Sequence, residues 1–384
     1  MKKELRLALR VSELKPSATV EMTERVRQAQ QAGANIIPLS SGDPNIATHP
    51  AIIEAAHRSL LAGETHYGPA AGKPSLREAI AHRIEQNSGV SYDSNEILVT
   101  PGGKFGVFIS LLAVVEPGDE VIMLEPGWVS YGPCINLAGG VCVTVPALDE
   151  IDPERLAKAI TPRTRMIIVN SPVNPTGRII PVDELTAIVD LAERYGLWIL
   201  FDEVYSEIVF EPNAYTSLQS LEGARQFIFV VNSFSKTFGM TGWRVGYLAA
   251  PAPIAKTVLK IVQHSVYCLP LFIQAAAETA LSLPKEVVEG YISEFRRRRD
   301  VAANRLNKVQ GIHCNPPPAT FYLFPSIKGD DREVAKEWLD QLSIAVLPGS
   351  AFGSAGKGHL RISIACDMPT LNEALHRIER HYGS

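Results

Sequence analysis

The chain of 384 residues is 46% apolar and carries a formal net charge of −4. That length buries a large core, in two or three domains or in one large α/β unit with an appendage. With no basic excess and no long block of like charge it lacks the electrostatic footprint of a nucleic-acid binder, and no run of about 18 apolar residues marks a membrane span.

The first stretch, MKKELRLALRVSELKPS, is basic but too polar for a secretory leader. Residues 1 to about 45 carry one helical pattern. EILVT (96–100) then reads as a strand that runs into Thr100-Pro-Gly-Gly and an apolar helix. EVIMLE (120–125), GVCVTVP (140–146), RMIIVN (165–170), LWILFD (197–202), FIFVVNS (227–233) and RVGYLAA (244–250) read as strands buried on both faces. Amphipathic stretches such as PVDELTAIVDLAERYG (181–196) separate several of them. Buried strands alternating with helices predict an α/β fold, a mostly parallel sheet with helices on both sides. The last third differs: a long helical pattern runs from LFIQAAAETALSL into EGYISEFRRRRDVAANRLNKV. Strand-like TFYLFPSI (320–327), helical DREVAKEWLDQL, strand-like IAVLPGS and HLRISIA (359–365), and a final helix from Thr370 follow. This predicts a smaller α/β domain. The expected division is a large domain at 46–275, with 1–45 and 276–384 forming the small one.

Five cysteines, Cys134, Cys142, Cys268, Cys314 and Cys366, are scattered and odd in number. That pattern argues against a disulfide framework and against CxxC metal sites. The expectation is a cytoplasmic protein without structural metal.

In open parallel sheets the chemistry gathers at the carboxyl ends of the strands, so the polar residues there carry the argument. Asp202 ends the apolar run LWILF. A carboxylate in that place costs desolvation unless a cation or hydrogen bonds meet it. A loop cap is the plain explanation; a protonated pyridine nitrogen is a functional one. In NSPVNPTG (170–177) the prolines and Gly177 are accounted for by a turn, and Asn174 is left over, a donor for a phenolate oxygen on a ring. Glycines in TPGGKFG open a helix and expose backbone N–H groups that suit a phosphate, without the Walker spacing. In NSFSKTFGMTGWRVGY (232–247), Ser233, Ser235 and Arg244 can reach one phosphate, with Lys236 a ring-length away. A lysine beside a phosphate anchor, facing an aspartate from another strand, is what a pyridoxal phosphate enzyme needs. The amine forms a Schiff base, and the aspartate keeps the ring nitrogen protonated.

With these motifs in this order the chain resembles the fold type I pyridoxal-phosphate enzymes, specifically the class I/II aminotransferases of the aspartate aminotransferase superfamily, over nearly its whole length. Lys236 lies 34 positions after Asp202 and eight before Arg244. The resemblance implies pyridoxal 5′-phosphate as cofactor and Lys236 as its Schiff-base lysine. It implies Asp202 at the ring nitrogen, Asn174 and Tyr205 at the phenolic oxygen, and Trp128 stacked on the ring. Ser233, Ser235, Arg244, Gly103 and Lys104 match the phosphate-binding segments. Arg361 in HLRISIA and Gly42 in SSGDPN match the residues that hold a substrate α-carboxylate. Tyr67 in THYGPAAGKPSLREAIA matches one that reaches a neighbouring subunit's phosphate site, which implies a homodimer with shared sites. The expected reaction moves an amino group between an L-amino acid and a 2-oxo acid, 2-oxoglutarate or pyruvate, by a ping-pong route. A fold type I lyase or synthase and a catalytically idle cofactor-binding regulator are the alternatives. FGVFISLLAVVE, after Lys104, has no basic residue, and QHSVYCLPLFIQ brings apolar Tyr267, Leu269 and Phe272. These two stretches predict a side-chain pocket that makes little demand for a second carboxylate, so that several neutral or aromatic amino acids react.

Overall fold

The structure is a computed structural model that describes residues 6–12, 14, 16–211 and 214–383. Its centre is a seven-stranded sheet. From one edge to the other the strands are Ile97–Thr100, Gly246–Ala249, Ile228–Ser233, Trp198–Asp202, Thr164–Asn170, Glu120–Glu125 and Val141–Pro146. Every strand expected in the middle of the chain forms. Gly246–Ala249 pairs antiparallel with both of its neighbours, and the strands from Ile228–Ser233 to Val141–Pro146 pair parallel. The reversed strand therefore begins on the sheet edge where its neighbour Ile228–Ser233 ends. Helices cover both faces. Ile80, Ile188 and Phe201 belong to the core on one face; Val107, Leu200 and Val258 belong to the core on the other.

One strand departs from expectation. Val141–Pro146 is largely exposed rather than buried on both faces, because it closes the sheet and pairs with a single neighbour. The long helical pattern of the last third is two helices, Leu271–Leu281 and Lys285–Leu306. The break falls before Pro284, whose ring fixes its own φ and disfavours helix in the residue ahead of it. TFYLFPSI forms two short strands, Tyr322–Leu323 and Ser326–Ile327, separated by Phe324 and by Pro325, whose nitrogen cannot donate to a ladder. Tyr322–Leu323 and Leu347–Pro348 flank Leu360–Ser363 in a small antiparallel sheet. Phe295, Trp338, Ile362 and Leu371 build a third core beneath it. The N-terminal helix Ala18–Gln31 packs Val26 against Leu339 and Ala345 of this C-terminal layer. The final helix begins at Met368, ahead of the expected Thr370, capped by the Asp367 carboxylate, which accepts from the Thr370 amide at 2.7 Å. Among the described residues no helix is long and apolar enough to cross a membrane.

Candidate active site

The carboxyl ends of the central strands open into a cavity of about 520 Å³. Every residue expected at the cofactor or at the substrate α-carboxylate lines it, with the exception of Tyr67.

At one end, Ser233 closes its strand and caps the short turn Phe234–Thr237. Its Oγ donates to Ser235 Oγ at 2.8 Å. Arg244 has a left-handed backbone, φ 53°, and its guanidinium donates to the Thr241 carbonyl at 2.8 Å. The same guanidinium lies against Gly102, where an added Cβ would sit 2.6 Å from Nη2. Gly102 adopts φ 84° and leads into the helix Gly103–Val114. The Gly103 and Lys104 amides have no hydrogen-bond partner among the described residues. Two hydroxyls, a guanidinium and two open amides at a helix start make an anion-binding cup.

Asp202 stands deeper, 6% exposed. One carboxylate oxygen accepts from Tyr131 Oη at 2.7 Å and the other from the Val204 amide at 3.2 Å. Burial pushes its pKa above the ordinary aspartate value, against the pull of these two bonds. Asn170 sets the neighbouring strand end: its Nδ2 donates to the Asp202 carbonyl at 2.8 Å, and its Oδ1 accepts from the Asn174 amide at 2.8 Å. Asn174 Oδ1 in turn accepts from Arg361 Nη1 at 3.1 Å.

Arg361 is 2% exposed. It donates to the Ser40 carbonyl at 2.6 Å and lies over the rings of Tyr322, at 4.4 Å, and Phe352, at 4.9 Å. Its buried Nε has no partner among the described residues. Burial lowers its pKa, yet the two rings and the hydrogen bonds leave it a fixed cation with donors to spare. Tyr205 Oη and Tyr322 Oη are 2.9 Å apart, and burial raises the Tyr205 phenol well above its ordinary range. Lys236 Nζ donates to the Gly42 carbonyl at 2.6 Å. Burial brings its pKa down to about 8; Asp43 opposes the fall, and Arg361, Arg244 and Lys104 add to it. An amine of lowered basicity thus shares the cavity with a buried carboxylate and a buried guanidinium.

Tyr131, Asn170 and Tyr322 were missed by the sequence reading. Each is buried; the two tyrosines carry no signal that separates them from ordinary core, whereas Asn170, the polar residue that ends its strand, carries the same signal as Asp202 and was passed over. Lys104 was seen, but not what its side chain does. Its Nζ lies 5.0 Å from the Trp128 ring centroid and makes no ion pair among the described residues. Lys104 sits in the first turn of its helix, where side chains tilt back over the N-terminus, and that N-terminus opens into the cavity. A cation in a first helical turn opposes the helix dipole, and this was the available signal. The residues expected to make an apolar side-chain pocket lie elsewhere. Tyr267, Leu269 and Phe272 do not line this cavity; Phe272 borders a separate hollow beside Tyr67, and Leu269 is in the core. Tyr67 itself is 84% exposed, with Tyr267 edge-on to its ring at 5.0 Å.

Residues 34–378 match the family described as aminotransferase class I and II. The chain is 35% identical to an aspartate aminotransferase of Geobacillus stearothermophilus, over 98% of each chain. It is 36% identical to an aspartate/prephenate aminotransferase of Thermus thermophilus, over 98% of this chain and 99% of that one. Among solved structures, the aromatic aminotransferase from Pyrococcus horikoshii superposes with a TM-score of 0.87 at 37% identity, covering 93% of this chain and 98% of that one. These full-length relatives remove the lyase and regulator alternatives. Catalytic residue types gathered at one strand-end cavity, and relatives matched from end to end, lead to the same answer: the chain belongs to the class I and II aminotransferases of fold type I, enzymes that move an amino group between an amino acid and a 2-oxo acid.

Proposed function

We propose that the protein is a pyridoxal 5′-phosphate-dependent aminotransferase of dicarboxylic amino acids, working in two successive half-reactions. The observation that carries the reading is the convergence of the Lys236 amine, the buried Asp202 carboxylate and the anion cup on one cavity, with the Arg361 guanidinium among its walls. The donor set fits the cofactor. The cup of Ser233, Ser235, Arg244 and the Gly103 and Lys104 amides suits its phosphate, and Asp202 suits a protonated ring nitrogen. Asn174, whose Nδ2 makes no hydrogen bond among the described residues, and Tyr205 suit its phenolic oxygen, and the Trp128 indole suits its ring face. Lys236 is the amine for covalent attachment. Bound there, pyridoxal phosphate supplies an electron sink for the bond broken at the substrate α-carbon.

The chain's own residues do the rest. Arg361 and the open Gly42 amide hold the α-carboxylate and so fix which bond faces Lys236. The Lys236 amine, brought to about pKa 8 by burial, is partly neutral near pH 7; Nζ takes the α-proton and returns it. Between transfers the Gly42 carbonyl holds Nζ. Lys104 supplies the specificity: its uncommitted ammonium at the cavity wall suits a second carboxylate, and the aspartate-named relatives agree with that choice. With L-aspartate and 2-oxoglutarate, kcat/KM is expected to exceed that for leucine or methionine at least tenfold. Lys104→Ala is expected to lower the aspartate value about 10- to 100-fold, about 1.4 to 2.8 kcal/mol, and to leave the neutral amino acids nearly unchanged. Equal rates for aspartate and leucine in the native enzyme defeat the dicarboxylate reading.

We read the molecule further as a cytoplasmic homodimer in which Tyr67 of each chain completes the site of its partner. An exposed tyrosine that lies outside its own chain's cavity supports this, and unpaired cysteines suit a reducing compartment. The large domain at 46–275 and the small one at 1–45 with 276–384 remain our division; the second core under the C-terminal strands supports two units, while Ala276, Ala277 and Ala280 pack with the core of the large one. Chains carrying Lys236→Ala and chains carrying Tyr67→Phe, refolded together, are expected to regain about one native site per mixed dimer. One site then carries both lesions and the other none. Activity that stays at the mean of the two parents removes the shared-site arrangement.

A further inference from the structure

Glu125 ends Glu120–Glu125, the strand next to one edge of the central sheet, and is 6% exposed, yet it does not line the cavity. Its Oε2 accepts from the Ser354 amide and the Ser354 hydroxyl, each at 2.8 Å, and from the Ala355 amide at 3.4 Å. All three donors belong to the loop 349–358 of the C-terminal layer. The approach is close enough to dictate sequence: Gly353 has φ 118°, and a Cβ on it would fall 2.6 Å from Glu125 Oε1. A second acid grips the same loop from its own layer. The Asp331 carboxylate accepts from the Ser350 amide at 2.7 Å and the Gly358 amide at 3.5 Å.

The loop between these two acids carries Phe352, 1% exposed, whose ring lies 4.9 Å from the Arg361 guanidinium carbon. The Phe352 carbonyl also accepts from the Gly127 amide at 2.9 Å, and Gly127 directly precedes Trp128. One carboxylate therefore fixes two things at once. Through Phe352 it fixes the shelf under Arg361, and through residues 126 and 127 it fixes the segment that presents Trp128. Buried charge-assisted bonds to backbone amides are strong and directional, and a buried amide that loses its acceptor is costly. Removing the carboxylate frees the loop to shift, and Arg361 loses one of its two ring neighbours.

We propose that Glu125 is a positioning residue for substrate binding: by clamping loop 349–358 to the central sheet it holds Phe352 against Arg361. The proposal rests on the reading of Arg361 as the α-carboxylate cation. It concerns substrate binding, made equally in ground and transition states, so the effect falls on KM more than on kcat.

The test uses the holoenzyme and L-aspartate. Glu125→Ala is expected to raise KM about tenfold, the scale of a coupling of about 1.4 kcal/mol between neighbouring groups, with kcat within about threefold. Glu125→Gln keeps an acceptor oxygen at the same reach and is expected to restore KM to within about threefold of native. Ser354→Ala removes one donor, leaves the backbone bonds, and is expected to raise KM about two- to threefold; it decides the matter if Glu125→Ala does not fold. In an Arg361→Ala background, Glu125→Ala is expected to add no further rise in KM. An unchanged KM in folded Glu125→Ala overturns the proposal, as does a Gln variant as impaired as the Ala one, or a full additional rise on top of Arg361→Ala. If Arg361→Ala alone leaves KM unchanged, the reading of Arg361 fails first, and the clamp on substrate binding falls with it.

Discussion

Lys236→Ala is expected to abolish transamination, with a loss of at least about 10⁴, the upper range for a positioned acid–base group, while the protein still takes up pyridoxal phosphate. The amine is the group in the cavity that can both attach to the cofactor aldehyde and move the α-proton, so its removal deletes two functions. The anion cup and Asp202 are untouched by the substitution, and they supply most of the polar contacts available to the cofactor. Two measurements separate these effects. Equilibrium dialysis should find the cofactor bound, and the absorbance band of the lysine-linked cofactor should be absent. Native activity in the variant would move the covalent link to another lysine. Lys104, whose ammonium also lies near this cavity, is the first one to examine.

Asp202→Asn is expected to cost kcat far more than cofactor affinity. The native carboxylate is buried, and its two hydrogen bonds, from Tyr131 and Val204, are fewer than a carboxylate can accept. Burial raises its pKa; a protonated ring nitrogen placed against it would pair with the anion and draw that pKa down again. An amide of the same shape keeps the site filled but has no charge to give. The expected loss is about 3 kcal/mol or more, the scale for removing one partner of a buried charge pair, which is over a hundredfold in rate. Rate constants measured at saturating pyridoxal phosphate check this. A variant within a few-fold of native kcat would show that another group controls protonation of the ring.

The sheet and the residues at its strand ends were legible because two periodicities overlap there. Runs such as FIFVVNS are apolar on both faces until the strand ends, and the first polar residues after the run lie at the sheet edge where ligands bind. Asp202, Ser233 and Lys236 stand out for that reason. Asn174 stood out because a turn leaves its side chain unexplained, whereas Arg361 was marked by the family resemblance alone. Tyr131 and Tyr322 were hidden by the same logic, since a buried tyrosine in an apolar context is ordinary core until its hydroxyl is seen to meet Asp202 or Tyr205. The short strands around Pro325 and the helix break at Pro284 depend on tertiary packing as much as on local pattern. Glu125 looked like any carboxylate at a strand end, because its partner lies more than two hundred positions away, at Ser354. Tyr267, Leu269 and Phe272 were misplaced because their apolar run carries no sign of which cavity it borders, and the Lys104 side chain was passed over because its segment was read for its backbone amides.

The reversed strand Gly246–Ala249 brings Ser233 and Arg244 to the same sheet edge although they are only eleven positions apart. Closing so short a segment costs little chain entropy, whereas Arg361 lies 125 positions beyond Lys236 and rests on the C-terminal layer. Synthesis runs in one direction, so all seven strands of the central sheet and the whole anion cup have left the ribosome before Arg361 is made. The order of translation therefore sets the two anchors apart: the growing chain carries every residue of the anion cup before it carries the Arg361 guanidinium, which must be brought back to a sheet already made.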